Sequence, residues 1–142
     1  MNKALENAQK AFDQDEVPVG CVIVKDNQII SSAYNQTIVA KNCLAHAEII
    51  AINQAILALQ TNRLNDCDIY ITLEPCPMCL TAISMAKIQR IFYGVNDPKF
   101  GAVESNPLFS FNNLALFKPE IYSGINAIES ANLLSSFFAK KR

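Results

Sequence analysis

Tryptophan is absent from the 142 residues, histidine occurs once, and glycine and proline occupy only four and six positions. Chain breakers this sparse and scattered leave no linker, low-complexity tract or internal repeat. One domain over residues 1–142 is therefore expected, long enough to bury a core. No apolar run approaches the length needed to cross a bilayer, which argues against a membrane protein. Residues 1–6 carry no hydrophobic signal core, so export is not expected. Neither sign of charge dominates: 12 Lys and Arg face 13 Asp and Glu, with a pI near 5.8. That balance argues against a protein that coats nucleic acid by bulk charge, while leaving room for a local basic patch. Five cysteines, an odd number without framework spacing, agree with a reducing, cytoplasmic setting.

What is present is the stretch Thr72-Leu73-Glu74-Pro75-Cys76-Pro77-Met78-Cys79, with two thiols at metal-ligand spacing. If Pro77 and Met78 open a helix, Cys76 and Cys79 share one side of its first turn. Proline favours that start because its missing N–H leaves no intrahelical bond unmade there. The positive end of the helix would also lower a cysteine pKa toward the metal-binding thiolate. A lone Cys-x-x-Cys could equally be a redox dithiol or half of a structural zinc site. The structural site has no second pair, since Cys21, Cys43 and Cys67 stand apart; spacing alone does not exclude the redox reading. The only histidine, His46, shifts the balance. It lies in Ala45-His46-Ala47-Glu48, and His-x-Glu followed by Pro-Cys-x-x-Cys is the signature of zinc-dependent nucleobase deaminases.

Along the chain, Ala4, Leu5, Ala8, Ala11 and Phe12 mark a helix over residues 3–14. Residues 19–24 and 29–34 read as two strands around a polar turn. The first of them is apolar on both faces, as in an interior strand covered on both sides. A polar connection over 35–44 precedes a largely buried helix from Ala45 to about Leu59. His46 and Glu48 open it, and residues two apart can serve one site only from its first turn. Residues 68–73 and 89–94 read as strands flanking a helix that ends near Lys87. A strand, helix, strand order implies a parallel crossover, with sites at the carboxyl ends of strands. Asn96 to Gly101 is a turn-rich loop, the stretch to about Pro119 is irregular, and residues 120–124 form a short fifth strand. A last amphipathic helix carries Leu133, Leu134, Phe137 and Phe138, the two phenylalanines read as core.

These motifs resemble the bacterial tRNA-specific adenosine deaminases, within the cytidine-deaminase-like superfamily. The resemblance runs through Glu16-Val17-Pro18-Val19-Gly20, Tyr34-Asn35, Ala45-His46-Ala47-Glu48-Ile49, Thr72 to Cys79, Asn96-Asp97-Pro98-Lys99-Phe100-Gly101 and Ser136-Phe137-Phe138. One departure is visible: the family commonly has Asp-Pro-Thr before Ala-His-Ala-Glu, where this chain has Asn42-Cys43-Leu44. The resemblance implies an α/β fold of three α-β-α layers around a central mixed five-stranded sheet. It implies one zinc per chain held by His46, Cys76 and Cys79, with water in the open fourth position. Glu48 would be the catalytic proton shuttle and not a ligand, in hydrolytic deamination of adenosine to inosine at the wobble position of a tRNA anticodon. An unpaired loop base can enter a pocket at little unpairing cost. The resemblance further implies a homodimer.

Asn35 resembles the residue that hydrogen-bonds the target base, although a turn Asn satisfying nearby backbone is an equally ordinary role. Asp97 and Lys99 resemble a loop that meets the flanking nucleotides, although Asp-Pro is also a common turn pair. Lys87, Arg90 and Lys99 could approach phosphates, yet scattered single cations are usually solvated surface. Two other classes stay open: a small-molecule deaminase of guanine, cytosine or a nucleoside, and a non-catalytic zinc-stabilised domain. The last is weakest, because a structural zinc site fills all four positions with protein ligands.

Overall fold

Residues 1–109 and 116–142 are described by the computed structural model of the chain. Small apolar side chains at helical spacing form α1 (Asn2–Asp13), which buries Ala4, Ala8 and Ala11. Strands β1 (Gly20–Lys25) and β2 (Gln28–Tyr34) then pair antiparallel. Their two-residue turn places both Asp26 and Asn27 at positive φ, 50° and 61°. That is the mirror-image turn whose twist matches the strands. The remaining elements are α2 (Ala47–Leu59), β3 (Asp68–Leu73), α3 (Pro77–Met85), β4 (Arg90–Val95), β5 (Glu120–Tyr122) and α4 (Ala127–Lys140). The irregular stretch expected up to Pro119 falls partly on residues 110–115, outside the described residues.

The sheet order is β2-β1-β3-β4-β5. β1 runs antiparallel to β2 and β3, while β3, β4 and β5 are mutually parallel, so the sheet is mixed as expected. It follows that β2 also points the same way as β3, and β1 is the single reversed strand. The carboxyl ends of β2, β3, β4 and β5 therefore share one edge. Helices α2 and α3 both begin at that edge, after β2 and β3 respectively.

Adjacent residues of β2 show the layering directly, because neighbouring side chains of a strand point to opposite faces. Ser31 Oγ donates to the Ala51 carbonyl of α2, while Ser32 Oγ accepts from Asn7 Nδ2 of α1. Helices α1 and α4 thus cover one face and α2 and α3 the other, giving three layers. Between them β1 is buried on both sides from Gly20 to Ile23, the reason its sequence lacks alternation. The core continues through Ile69, Ile71, Ile83, Ile88, Ile91 and Tyr93, all inaccessible to solvent. Gly20 is needed for closeness: a Cβ there would run into the Ala4 carbonyl and the Ala8 amide of α1.

Candidate functional site

Cys76 is the N-cap of α3, in extended conformation (φ −72°, ψ 170°), and Pro77 is the first helical residue. The helix thus begins as the prolines dictate, and its first turn brings Cys79 round beside Cys76. His46 arrives from α2 in a different way from that expected. The helix starts at Ala47 and not at Ala45, and His46 is its extended N-cap (φ −71°, ψ 150°). The break in helical geometry at His46 is what lets His46 and Glu48 serve one site while only two residues apart.

His46 Nδ1 stands 3.7 Å from Cys76 Sγ and 3.5 Å from Cys79 Sγ. One donor atom from each of the three residues lies within 4.8 Å of the others. Tetrahedral ligation with Zn–S of about 2.3 Å and Zn–N of about 2.0–2.1 Å places nitrogen and sulfur about 3.5 Å apart. Donor types and spacing therefore fit a zinc ion. Hydrogen bonding from Cys79, with help from His46, holds the Cys76 thiol down at about 4 against the opposing effect of burial. Cys79, donating that bond and buried, is pushed up. The bond to Cys76 likewise raises His46. Glu48 is 4% exposed, and burial pushes its carboxyl up to about 7.

The cluster opens on a cavity of about 840 Å³ at the carboxyl edge of the sheet, within the size range of small-molecule sites. Val17 and Val19 precede β1, Asn35 and Thr37 follow β2, Glu74 and Cys76 follow β3, and Asn96 to Phe100 follow β4. Asn35, Asp97 and Lys99, three residues singled out in the sequence, all line it together with His46, Glu48 and Cys76. Asn35 is not satisfying local backbone with its side chain: its Nδ2 donates to Glu16 Oε2 at 3.1 Å. Asp97 does close a turn, its Oδ1 accepting from the amides of Lys99 and Phe100. Lys87 and Arg90 are absent from the lining, and Arg90 is engaged by Asp68 in a two-pronged ion pair. The departing residues Asn42, Cys43 and Leu44 are exposed and do not line the cavity.

Two contributions escaped the sequence. The carboxylate of Glu74 is buried and accepts from the amides of Asp97, Val103, Glu104 and Ser105, and from the Ser105 hydroxyl. Burial alone would raise its pKa, but these hydrogen bonds outweigh it and hold the carboxyl below its usual value. Glu16 plays the corresponding part for residues 37–39. In neither case does local spacing carry a signal, because the donors, mostly backbone amides, lie some 20–30 residues away. The second contribution is α4, whose Ala131, Leu134, Ser135 and Phe138 form one helical stripe along the cavity. Phe137 is core as expected, at 4% exposure; Phe138 is 49% exposed at the cavity instead, since adjacent helical residues point about 100° apart.

The model of the MafB19-like deaminase family matches residues 1–142. A tRNA-specific adenosine deaminase of Rickettsia bellii is 54% identical, over 100% of this chain and 99% of its own length. One from Agrobacterium fabrum is 46% identical, over 100% of this chain and 93% of its own. A structure solved in studies of A-to-I editing by tRNA:A34 deaminases at the wobble position superposes with a TM-score of 0.91 at 45% identity, covering 94% of this chain and 97% of that one. The fold, the His-Cys-Cys cluster and these full-length likenesses place the chain in one family: it is a deaminase, and belongs with the tRNA-specific adenosine deaminases.

Proposed function

We propose that residues 1–142 act as one zinc-dependent domain that deaminates adenosine to inosine at the wobble position of a tRNA anticodon. The observation that carries this reading is the buried Glu48 carboxyl beside three clustered zinc-type donors, with Glu48, His46 and Cys76 lining one cavity and Cys79 buried behind them. Homologues named for the same substrate support it. His46, Cys76 and Cys79 would hold the ion. Zinc bound there supplies a Lewis acid that lowers the pKa of water toward neutrality. Glu48 takes a proton from the attacking water as C6 of the adenine is approached. It returns that proton to ring N1, and later serves the departing amino group, acting as base and then acid. Asn35 holds the base against the cavity wall, and Asp97 and Lys99 meet the neighbouring nucleotides.

A homodimer is supported by apolar side chains left bare beside the site and on α2 and α3: Ile38, Val39, Leu44, Leu57 and Met85 are all more than half exposed. Among the described residues no helix is long and apolar enough to cross a membrane. All five cysteines are free, which supports a cytoplasmic setting. The test is inosine formation on a set of tRNAs with and without a wobble adenosine. Inosine should appear only in those with it; failure on all of them, alongside turnover of free guanine or cytosine, would transfer the chain to small-molecule deamination.

A further inference from the structure

Glu16 lies between α1 and β1, outside any helix or strand, and its side chain is wholly buried. Four donors converge on its two oxygens. Oε1 accepts from the backbone amides of Ile38 at 2.7 Å and Val39 at 2.8 Å. Oε2 accepts from Asn35 Nδ2 at 3.1 Å and the Thr37 hydroxyl at 3.2 Å. Asn35 and Thr37 both line the cavity. A carboxylate only accepts hydrogen bonds, so the Asn35 amide can face it with its NH2 end alone. Glu16 thereby selects one of the two orientations of that amide.

We infer that Glu16 is a positioning residue for the deamination: it sets which hydrogen-bonding group of Asn35 the target base meets, without contacting the base. This rests on the reading that Asn35 contacts the base. Substitution by glutamine separates positioning from mere support of the fold, because it conserves shape. The amides of Ile38 and Val39 cannot become acceptors, so the glutamine carbonyl must stay on their side and its NH2 must face Asn35. Asn35 then relieves the clash of donors by flipping, which reverses donor and acceptor toward the cavity, while the 37–39 turn keeps its anchor.

The experiment is a double-mutant cycle with zinc-loaded protein on a wobble-adenosine tRNA: wild type, Glu16→Gln, Asn35→Ala and both together. Zinc content and Tm are measured alongside. Glu16→Gln should lose roughly tenfold in kcat/KM, the scale of one misdirected hydrogen bond, with zinc content unchanged. In the Asn35→Ala background the same change should cost less than about twofold, because the group it misdirects is gone. Equal losses in the two backgrounds, or no loss in the first, overturn the inference. Full activity of Asn35→Ala would instead remove the base contact on which it rests. Should Glu16→Gln alone fail to fold, the pair Glu16→Gln with Asn35→Asp gives a second test, since the new carboxylate accepts from the new amide. The pair should then have a higher Tm than either single variant, and a pair no more stable than the singles overturns the orientation.

Discussion

Glu48 and Cys79 are both buried beside His46, yet their removal should have different consequences. On the proposed mechanism, Glu48→Ala leaves the three zinc donors untouched and takes away only the proton carrier. The protein should keep about one zinc per chain while turnover falls by roughly 10²–10⁴-fold, the usual contribution of a positioned acid-base group. Cys79→Ala leaves two donors and should lose metal and turnover together. Elemental analysis paired with an inosine assay separates the two, and a Glu48→Ala protein that kept most of its activity would show that another group carries the proton. These four residues were legible in the sequence because their chemistry is written in short spacings: two thiols three apart behind a proline, and a carboxylate two beyond the only histidine. Glu16 and Glu74 were not. Most of their partners are backbone amides, which have no residue identity to read, and all of them lie about 20–30 residues away in the chain.

Short elements, and the loops between them, decide how these side chains meet. The sequence indicated helices after β2 and β3 but not that His46 would stand outside its helix, as the extended N-cap. Boundaries of this kind depend on how the preceding loop enters, which tertiary contacts fix. The loop after β4 makes the same point in energetic terms. Residues 97–105 have little secondary structure, and the Glu74 carboxylate gathers four of their backbone amides. Gly101 packs so closely on this carboxylate that a Cβ would collide with it. In Glu74→Gln the carbonyl can keep the amides of Val103, Glu104 and Ser105, but the NH2 then faces the amide of Asp97, which can only donate, leaving that part-buried donor unpaired. A loss of roughly 1–3 kcal/mol of stability is expected, seen as a lower denaturant midpoint. Because the loop carries Asp97 and Lys99, the KM for tRNA should rise in the same variant. A variant with unchanged midpoint and KM would mean that the loop is held by its other contacts.

At the scale of the whole molecule, the sheet was legible because strands and helices alternate, and α4 was legible as a helix but not in its placement. Its stripe faces the cavity only because the chain returns across β4 to lie beside α1, a fact of topology that no local pattern contains. Apolar residues left exposed by this arrangement include Leu57 at 77% and Met85 at 70%. If a second copy covers them, light scattering at micromolar concentration should give twice the chain mass of 15.7 kDa; a monomer there would refute the dimer. The charge distribution bears on the substrate in turn. Lys99 lines the cavity and Arg142 the groove adjoining it along Leu134, Ser135 and Phe138. Lys140 and Lys141 are turned toward Phe12, Phe137 and Asp15. With about two phosphate contacts, each contributing roughly −0.7 to the slope of log affinity against log salt on single strands, the dependence should be shallow, near −1.4. Recognition must then come from the shape of the loop around the flipped base and not from bulk attraction. Free adenosine lacks the flanking nucleotides whose binding positions the base, and truncated substrates forfeit such remote energy. Adenosine alone should therefore be turned over very poorly, whereas an anticodon stem-loop with a wobble adenosine should approach the rate of intact tRNA. The same stem-loop with guanosine at that position should be inert. Efficient turnover of free adenosine, or a salt slope several times steeper, would show that the loop's shape is not what this site reads.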